Sequence, residues 1–391
     1  MVRSSCNPDR PRQGSDPAPA ARPTPPTPPT PPTPGPRRRR PDETAARPEG
    51  QSGAVYGAID LGTNNCRLLV ARPAARGFQI VDAFSRIVRL GEGVAARGRL
   101  SEAAIQRTLG ALRICAGKMR RAGVTRSRAV ATEACRQADN CTEFLQRVYH
   151  ETEIELEIIS AEEEARLGLH FCLPLLDEAP PHALLFDIGG GSTEVSWIEI
   201  DGATAQLRAW DSLPIGVVSL TERYGGHEVP EATYRRMMAE VAAALAPIEA
   251  RHGLARRIAE GEVQMLGISG TVTTLTGVHK KLRRYDRGQV DGVHLSLDTV
   301  SEVSRRIAGM SYGERVANPC IGHERADLVI AGCAILEAIC ELWPAGRLCV
   351  ADRGLREGML LTLMAGDGAV QGAVQGAVRG AAPTSPRAPA P

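Results

Sequence analysis

Two stretches of this sequence share one unusual pattern, and few folds accommodate it twice. Leu184–Ile200 reads LLFDIGGGSTEVSWIEI. An apolar run of strand-forming residues ends at Asp187, three consecutive glycines follow, and a second apolar strand resumes after Ser192, Thr193 and Glu194. Three glycines inside a strand pattern weaken it, so the backbone must be bare there for a reason. The reading is a β-hairpin whose turn exposes amide N–H groups, with a carboxylate on each side. Such a turn can wrap an anionic phosphate while the carboxylates hold Mg²⁺ or water; a plain hairpin with a glycine bulge is the competing reading. Val55–Ala71, VYGAIDLGTNNCRLLVA, repeats the theme: a strand, then Asp60, Gly62, Thr63 and Asn64, then another strand. The duplication predicts two similar halves, each offering a phosphate loop to a shared cleft.

Composition narrows the class. At 391 residues the chain has length for two or three domains. No run approaches the ~18 apolar residues of a membrane helix, and no apolar segment follows the basic N-terminal residues, so neither a membrane span nor a signal peptide is expected. The net charge of +2 is uneven: residues 1–50 carry nine Arg against five Asp/Glu, which leaves the body, 51–366, at −3. A body of that sign is not a broad nucleic-acid surface, and an anionic substrate must be held locally. Ten scattered cysteines with no CxxC pair read as reduced, buried small hydrophobes. The histidines lack metal-site spacing, so zinc is not expected.

Residues 1–53, with TPPTPPTPPTP and the block Arg37–Arg40, and residues 367–391, with AVQGAVQGAVRGA, have no core pattern and are predicted to be disordered tails. Arg37–Arg40 reads as the dense positive patch of the chain. Between the tails, strands alternate with helices. Helices are predicted from Ser101 to about Arg121, over 231–254, 297–308 and 326–342, and at 355–364. Strands are predicted at 78–90, 128–132, 153–159, 207–214, 263–268 and 348–351. Ser160-Ala-Glu-Glu163 reads as a capping box opening a further helix. Glu164 lies in its first turn, where the dipole favours an ionised carboxylate. From these residues alone, a general base and simple N-terminal charge are equally good readings. Ser269-Gly270-Thr271 opens another helix after a strand, a modest phosphate-site signal.

DLGTNN at 60–65, EEEARLG at 162–168, DIGGGSTE at 187–194, GISGT at 267–271 and GLREGML at 354–360 occur in the order of the exopolyphosphatase/guanosine pentaphosphate phosphohydrolase family, which this chain resembles over roughly 54–364. The resemblance implies an α/β fold of the actin-like phosphotransferase superfamily: two ribonuclease-H-like domains around a central cleft, each with a mixed five-stranded sheet. The implied division is domain I over 54–166, joined by the last helix, 350–366, and domain II over 167–349. Carried over by residue, Glu164 resembles the catalytic glutamate that orients or deprotonates water. Glu194 resembles a second essential carboxylate that helps hold Mg²⁺, and Asp187 the metal-associated aspartate. Gly189, Gly190, Gly191 and Ser192 match the loop around the terminal phosphate; Asp60, Gly62, Thr63 and Asn64 match the first phosphate loop. Arg136, a solvated helix arginine by its own sequence context, resembles the arginine that clamps phosphate from the side.

The implied activity is Mg²⁺-dependent (or other divalent-cation) release of orthophosphate from the end of inorganic polyphosphate. Removal of the 5′ terminal phosphate of guanosine pentaphosphate is the alternative, and a nucleotide-gated actin-like binding protein the remote rival. Thr63 stands where many relatives have Ser. The helical domains of long relatives, which extend a polyphosphate channel and support dimerisation, have no counterpart here, which weakens the case for processivity and leaves a homodimer open. The expected setting is cytoplasmic, without nucleic-acid or membrane partners.

Overall fold

The computed structural model describes residues 53–369, apart from Arg76 and Ala203. The proline- and glycine-rich tails, with Arg37–Arg40 and Cys6, lie outside the described residues. Eleven strands form two sheets: β1 (Tyr56–Leu61), β2 (Asn65–Pro73), β3 (Phe78–Ile87), β4 (Arg126–Ala131), β5 (Leu156–Ile158), β6 (His182–Ile188), β7 (Thr193–Asp201), β8 (Thr204–Leu213), β9 (Val263–Ile268), β10 (Val293–Ser296) and β11 (Arg347–Ala351). The first sheet has the order β3-β2-β1-β4-β5 and the second β10-β11-β9-β6-β7-β8. Reversed, the second repeats the first: an antiparallel meander of three strands, then two strands parallel to its first member. The duplication seen in the two hairpins therefore extends to the whole of each sheet.

Three differences from the sequence expectations have local causes. The second sheet carries a sixth strand, β10, antiparallel to β11 at the edge; four residues between a loop and a helix give too short a pattern to read. The strand expected over 153–159 shrinks to Leu156–Ile158, because Glu153 takes a left-handed conformation (φ 59°) to end the preceding helix. The capping box at Ser160 forms by half. Ser160 Oγ accepts from Glu163 N at 3.1 Å, but the Glu163 carboxylate is drawn to Arg128 instead of returning to the cap.

Packing divides into three buried clusters. In one, Leu109, Leu112 and Cys115 of the helix Glu102–Ala122 join Phe144 and Val148 against the first sheet. In another, the helix Val329–Leu342, apolar around almost its whole circumference, is enclosed by its neighbours and the second sheet. The third lies between the two sheets: Tyr56, Leu69 and Val130 meet Leu185, Leu266 and Ala351 through the helices Ala161–Cys172 and Leu355–Gly366. Those two helices touch closely; a Cβ on Gly358 would stand 3.1 Å from the Leu167 carbonyl. The C-terminal helix thus packs on the first sheet. All nine described cysteines are buried and unpaired. No described helix is long and apolar enough to cross a membrane.

Leu360 is fully buried in the cluster between the sheets. Leu360→Ala is expected to cost about 2–5 kcal/mol of unfolding free energy, the usual range for an aliphatic truncation that leaves a cavity. Urea denaturation would read it; a change below ~1 kcal/mol would mean that the helix Leu355–Gly366 is dispensable to the core.

Candidate active site

The two hairpins end in matching turns. In the first, Gly62 N donates to Asn65 O at 2.9 Å; in the second, Gly189 N donates to Ser192 O at 2.9 Å. The carboxylate precedes the turn glycine by two residues in both, and the residue facing it across the hairpin comes seven positions later: Asp60 opposite Arg67, Asp187 opposite Glu194. Both turns sit at the carboxyl ends of central strands, where the sheets of α/β proteins place their ligands.

The glycine triplet is bare because the other turn presses against it. A Cβ on Gly190 would lie 3.0 Å from Thr63 Cβ and 3.1 Å from Asn64 N; one on Gly191 would lie 2.8 Å from Thr63 Oγ1. Gly216 closes from behind, where a Cβ would run into the Gly190 carbonyl. None of the three glycines of the turn has a positive φ, so close approach, not backbone conformation, demands them. The carbonyls of the turn face away: Gly189 O and Gly190 O accept from Val217 N and Val218 N at 3.0 and 2.8 Å. The segment 88–91 does the same for the first turn, with Val88 N and Arg89 N on Asn64 O and Gly91 N on Thr63 O. Among the described residues, the N–H groups of Thr63, Asn64, Gly190 and Gly191 have no hydrogen-bond acceptor.

These turns line a cleft of about 550 Å³, a volume suited to a nucleotide-sized ligand. Ten of the twelve expected site residues are on its wall: Asp60, Gly62, Thr63, Asn64, Glu164, Asp187, Gly189, Gly190, Gly191 and Ser192. Arg136 and Glu194 are not; they stand directly behind Glu164. Arg136 Nη1 donates to Glu164 Oε2 at 2.9 Å and to Ile159 O at 3.0 Å, and its Nε donates to Glu133 Oε2 at 2.8 Å. Glu194 Oε1 accepts from Ser192 Oγ at 2.6 Å and Ser212 Oγ at 3.0 Å and lies 3.9 Å from Arg136 Nη2. An arginine whose own sequence context reads as a helix surface is thus the bracket between two buried glutamates.

Charge repulsion dominates this group. Burial and then Glu194 push the Glu164 carboxyl up to about 8, with Arg136 pulling the other way. Burial thus works against the helix dipole, which favours an ionised Glu164. Burial and Glu164 likewise raise Asp187 to about 8, and burial and Asp187 raise Glu194 to about 7. Burial also raises Asp60, against the opposing field of Arg67.

The sequence reading missed a group of arginines in the same cleft. Arg67, Arg325 and Arg356 line the cleft with Thr273 and Tyr285. Arg325 Nη1 donates to Thr274 Oγ1 at 3.0 Å, and Arg356 Nε is buried without a partner. Arg67 could have been found from hairpin register, being the residue that must face Asp60; Arg325 on a turn and Arg356 at the start of the helix Leu355–Gly366 are brought here only by the fold. Ser269 of the expected SGT site lines the cleft too, but its own Oγ takes Thr271 N and Val272 N at 3.1 Å each. Three of the six buried, unpartnered side-chain atoms among the described residues belong to this neighbourhood: Asn64 Oδ1, Arg136 Nη2 and Arg356 Nε. Such orphans are rare in folded proteins, and a shared location points to a polar ligand.

Among the described residues, no three His, Cys, Asp or Glu side chains converge as a complete metal cage. Mg²⁺ does not need one, since it binds through one or two carboxylates and completes its shell with water and phosphate oxygens. The donor set fits a hard cation: Asp60 and Asp187 offer carboxylate oxygens to the cleft, and their crowding with Glu164 and Glu194 is the kind of field a divalent ion relieves.

Two sheets of one topology, each ending a central hairpin in an Asp-x-Gly phosphate turn, define an actin-like protein. The chain belongs to the Ppx/GppA phosphatase family, whose profile matches residues 69–366. It is 29% identical over 311 residues to the guanosine-5'-triphosphate,3'-diphosphate pyrophosphatase of Aeromonas hydrophila, a match covering 79% of this chain and 59% of that protein. The chain therefore spans 59% of the length of that curated relative. Among solved structures, the family member from Aquifex aeolicus superimposes with a TM-score of 0.65 at 28% identity, covering 80% of this chain and 98% of that one. An exopolyphosphatase from Cytophaga hutchinsonii gives 0.71 at 25%, also covering 80% and 98%.

Two outcomes follow from this geometry. Gly190→Val is expected to leave the protein folded but to reduce activity about 100-fold or more, because it forces the two turns apart; near-wild-type activity in a folded variant would contradict the close-approach account. The carboxylates also give metal-free protein a specific pH response. Their folded-state values exceed the unfolded ones, so the native state binds more protons between the ordinary carboxylate range and about 8. Stability is therefore lost as pH rises through that window. Mg²⁺ should raise the melting temperature more at pH 8 than at pH 5.5, because it competes with protons for these oxygens. Equal shifts at both pH values would place the metal elsewhere.

Proposed function

We propose that this cleft hydrolyses a terminal phosphoanhydride, and that guanosine pentaphosphate losing its 5′ terminal phosphate is its substrate ahead of inorganic polyphosphate. The observation that carries the hydrolytic reading is the pairing of unpartnered amides on both turns with a buried glutamate held by an arginine at their side. The name of the Aeromonas relative supports the nucleotide over the polymer as first substrate, which reverses the order drawn from the motifs. The name of the Cytophaga relative keeps polyphosphate as the second reading.

In this reading, the N–H groups of Thr63, Asn64, Gly190 and Gly191 receive the terminal phosphoryl oxygens. They are fixed dipoles, so they stabilise the charge of the transferring group without reorganising. Glu164 orients and deprotonates the attacking water. Its raised carboxyl exchanges protons near neutral pH, where a general base is most effective. Arg136 holds Glu164 in place and keeps one Nη2 unpartnered for the phosphoryl group. Glu194, with Oε1 fixed by Ser192 and Ser212, maintains the field that keeps Glu164 basic. Mg²⁺ held by Asp60 and Asp187 would supply charge stabilisation at the phosphate oxygens. Arg67, Arg325 and Arg356 balance the remaining charge of the substrate from the same cleft.

Glu164→Gln should lower kcat by about 10²–10⁴-fold, the usual contribution of a positioned base, while leaving substrate affinity nearly unchanged. Phosphate release from guanosine pentaphosphate, tripolyphosphate and long-chain polyphosphate, measured side by side, tests the substrate order. A higher kcat/KM on polyphosphate would restore the polymer reading, and an unchanged kcat in the Gln variant would remove Glu164 from the chemistry.

A further inference from the structure

A second basic cluster lies outside the residues assigned to the cleft. Residues 280–289 read KKLRRYDRGQ, five Lys or Arg against one Asp, on a body whose net charge is negative. This segment links the helix Gly270–His279 to β10. It is a built loop. Lys281 N and Leu282 N donate to Val278 O and Gly277 O at 3.2 and 3.1 Å, and Leu282 packs against the core of the second half. The single acid, Asp286, is exposed; it accepts from Gln289 Nε2 at 2.8 Å and Gly288 N at 3.0 Å, and these bonds with the nearby charge of Arg284 hold its carboxyl below the usual range. The cations divide in two. Arg287 reaches the buried Glu357 at 3.1 Å, and Lys280 Nζ donates to Gln289 O at 2.7 Å. Lys281, Arg283 and Arg284 are exposed, with no carboxylate within 4.0 Å among the described residues.

The loop borders the cleft. Tyr285 belongs to both: it lines the cleft beside Thr273 and Arg325, its hydroxyl donates to Asp352 of the cleft wall, and Arg283 and Arg284 flank it in sequence along a shallow surface hollow. The Arg287–Glu357 pair anchors the other end beside Gly354, also on the wall. Arg283 and Arg284 are thus held beside Tyr285 at the edge of a site lined by Asp60, Glu164, Asp187 and unpartnered amides, with Lys281 two residues before them in the sequence.

We propose that Lys281, Arg283 and Arg284 form a second phosphate-binding surface, which takes the part of a linear phosphate chain that extends out of the cleft beyond the bound terminal phosphate. The assignment rests on the phosphohydrolase reading of the cleft. A ligand that fits within about 550 Å³ does not need the rim, whereas a long chain must leave the cleft and meet it. Unpaired guanidinium and ammonium groups recognise phosphate oxygens irrespective of what joins them. The loop has one aromatic residue, Tyr285, already tied to Asp352, so it lacks the stacking platform that single-stranded nucleic acid uses. The rim therefore serves a bare phosphate chain and gives the protein a length-dependent affinity for polyphosphate.

The test uses the full chain, wild type and Arg283→Glu/Arg284→Glu, on tripolyphosphate, guanosine pentaphosphate and long-chain polyphosphate, at low and high salt. KM for the long chain should rise about tenfold at low salt, with the difference fading as salt screens it. On the two short substrates KM should move less than about twofold, kcat should hold on all three, and Arg283→Lys/Arg284→Lys should behave as wild type. Binding of fluorescent long-chain polyphosphate to Glu164→Gln, with and without the reversed pair, reads the surface independently of turnover and should show the same loss. Equal long-chain affinity in wild type and reversed variant overturns the rim assignment, as does an equal KM increase on tripolyphosphate, which would mean only a general field on the cleft. A wild-type protein that cleaves none of the three substrates refutes the phosphohydrolase reading instead. The binding comparison then still decides whether the rim takes phosphate chains.

Discussion

The close approach of two backbone turns governs this molecule. Gly190 and Gly191 meet Thr63 and Asn64 at distances that leave no room for a Cβ, and Gly216 removes the space behind them. Because the carbonyls of both turns are engaged elsewhere, by Val217 and Val218 on one side and by the segment 88–91 on the other, their free amides are left beside the same cleft. Donors gathered in this way need no lysine-rich loop. They need two hairpins of equal geometry on two sheets, and the duplicated topology supplies them.

Further ties hold the halves at that distance. Arg89, whose N–H holds the Asn64 carbonyl, pairs through its guanidinium with Asp327 at 3.0 Å. Asp327 lies two residues from Arg325 of the cleft wall, so one residue couples the first phosphate turn to the arginine-bearing segment. Gly93 N adds a 2.6 Å bond to Glu222. On the far side Arg315, fully buried, donates to the carbonyls of Gly226, His227 and Ala326 and fixes the base of that same segment. The Arg89–Asp327 pair is partly buried, and its place between the two halves makes it a spacer.

The electrostatics follow a similar economy. Four carboxylates crowded in a desolvated site would be costly if all were ionised, so their proton affinities rise and they favour a cation among them. Arg136 touches Glu164 and nearly reaches Glu194, which offsets part of the repulsion without filling the cleft. The result is a carboxyl, Glu164, raised by burial and by Glu194, next to donors with no partner of their own. Both properties come from burial, and burial comes from the two turns closing on each other.

Sequence alone determined the two hairpins, their Asp-x-Gly turns and most helices and strands to within a few residues, and ten of the twelve residues it singled out lie on the cleft wall. It could do so because these features are written in local periodicity and in residues, glycine above all, whose backbone demands are local. The duplication made the fold legible as well, since two like hairpins imply two like halves. Tertiary structure alone decided what depends on distance across the chain. It set Arg136 against Glu164 and buried that carboxyl near Glu194, where desolvation opposes the helix dipole. It also delivered Arg325 and Arg356 to a wall formed with Arg67, far off in the chain, and turned the basic run 280–287 from an unremarked segment into the rim of the cleft. Burial and Coulomb interactions act through space, and a linear sequence does not carry those separations.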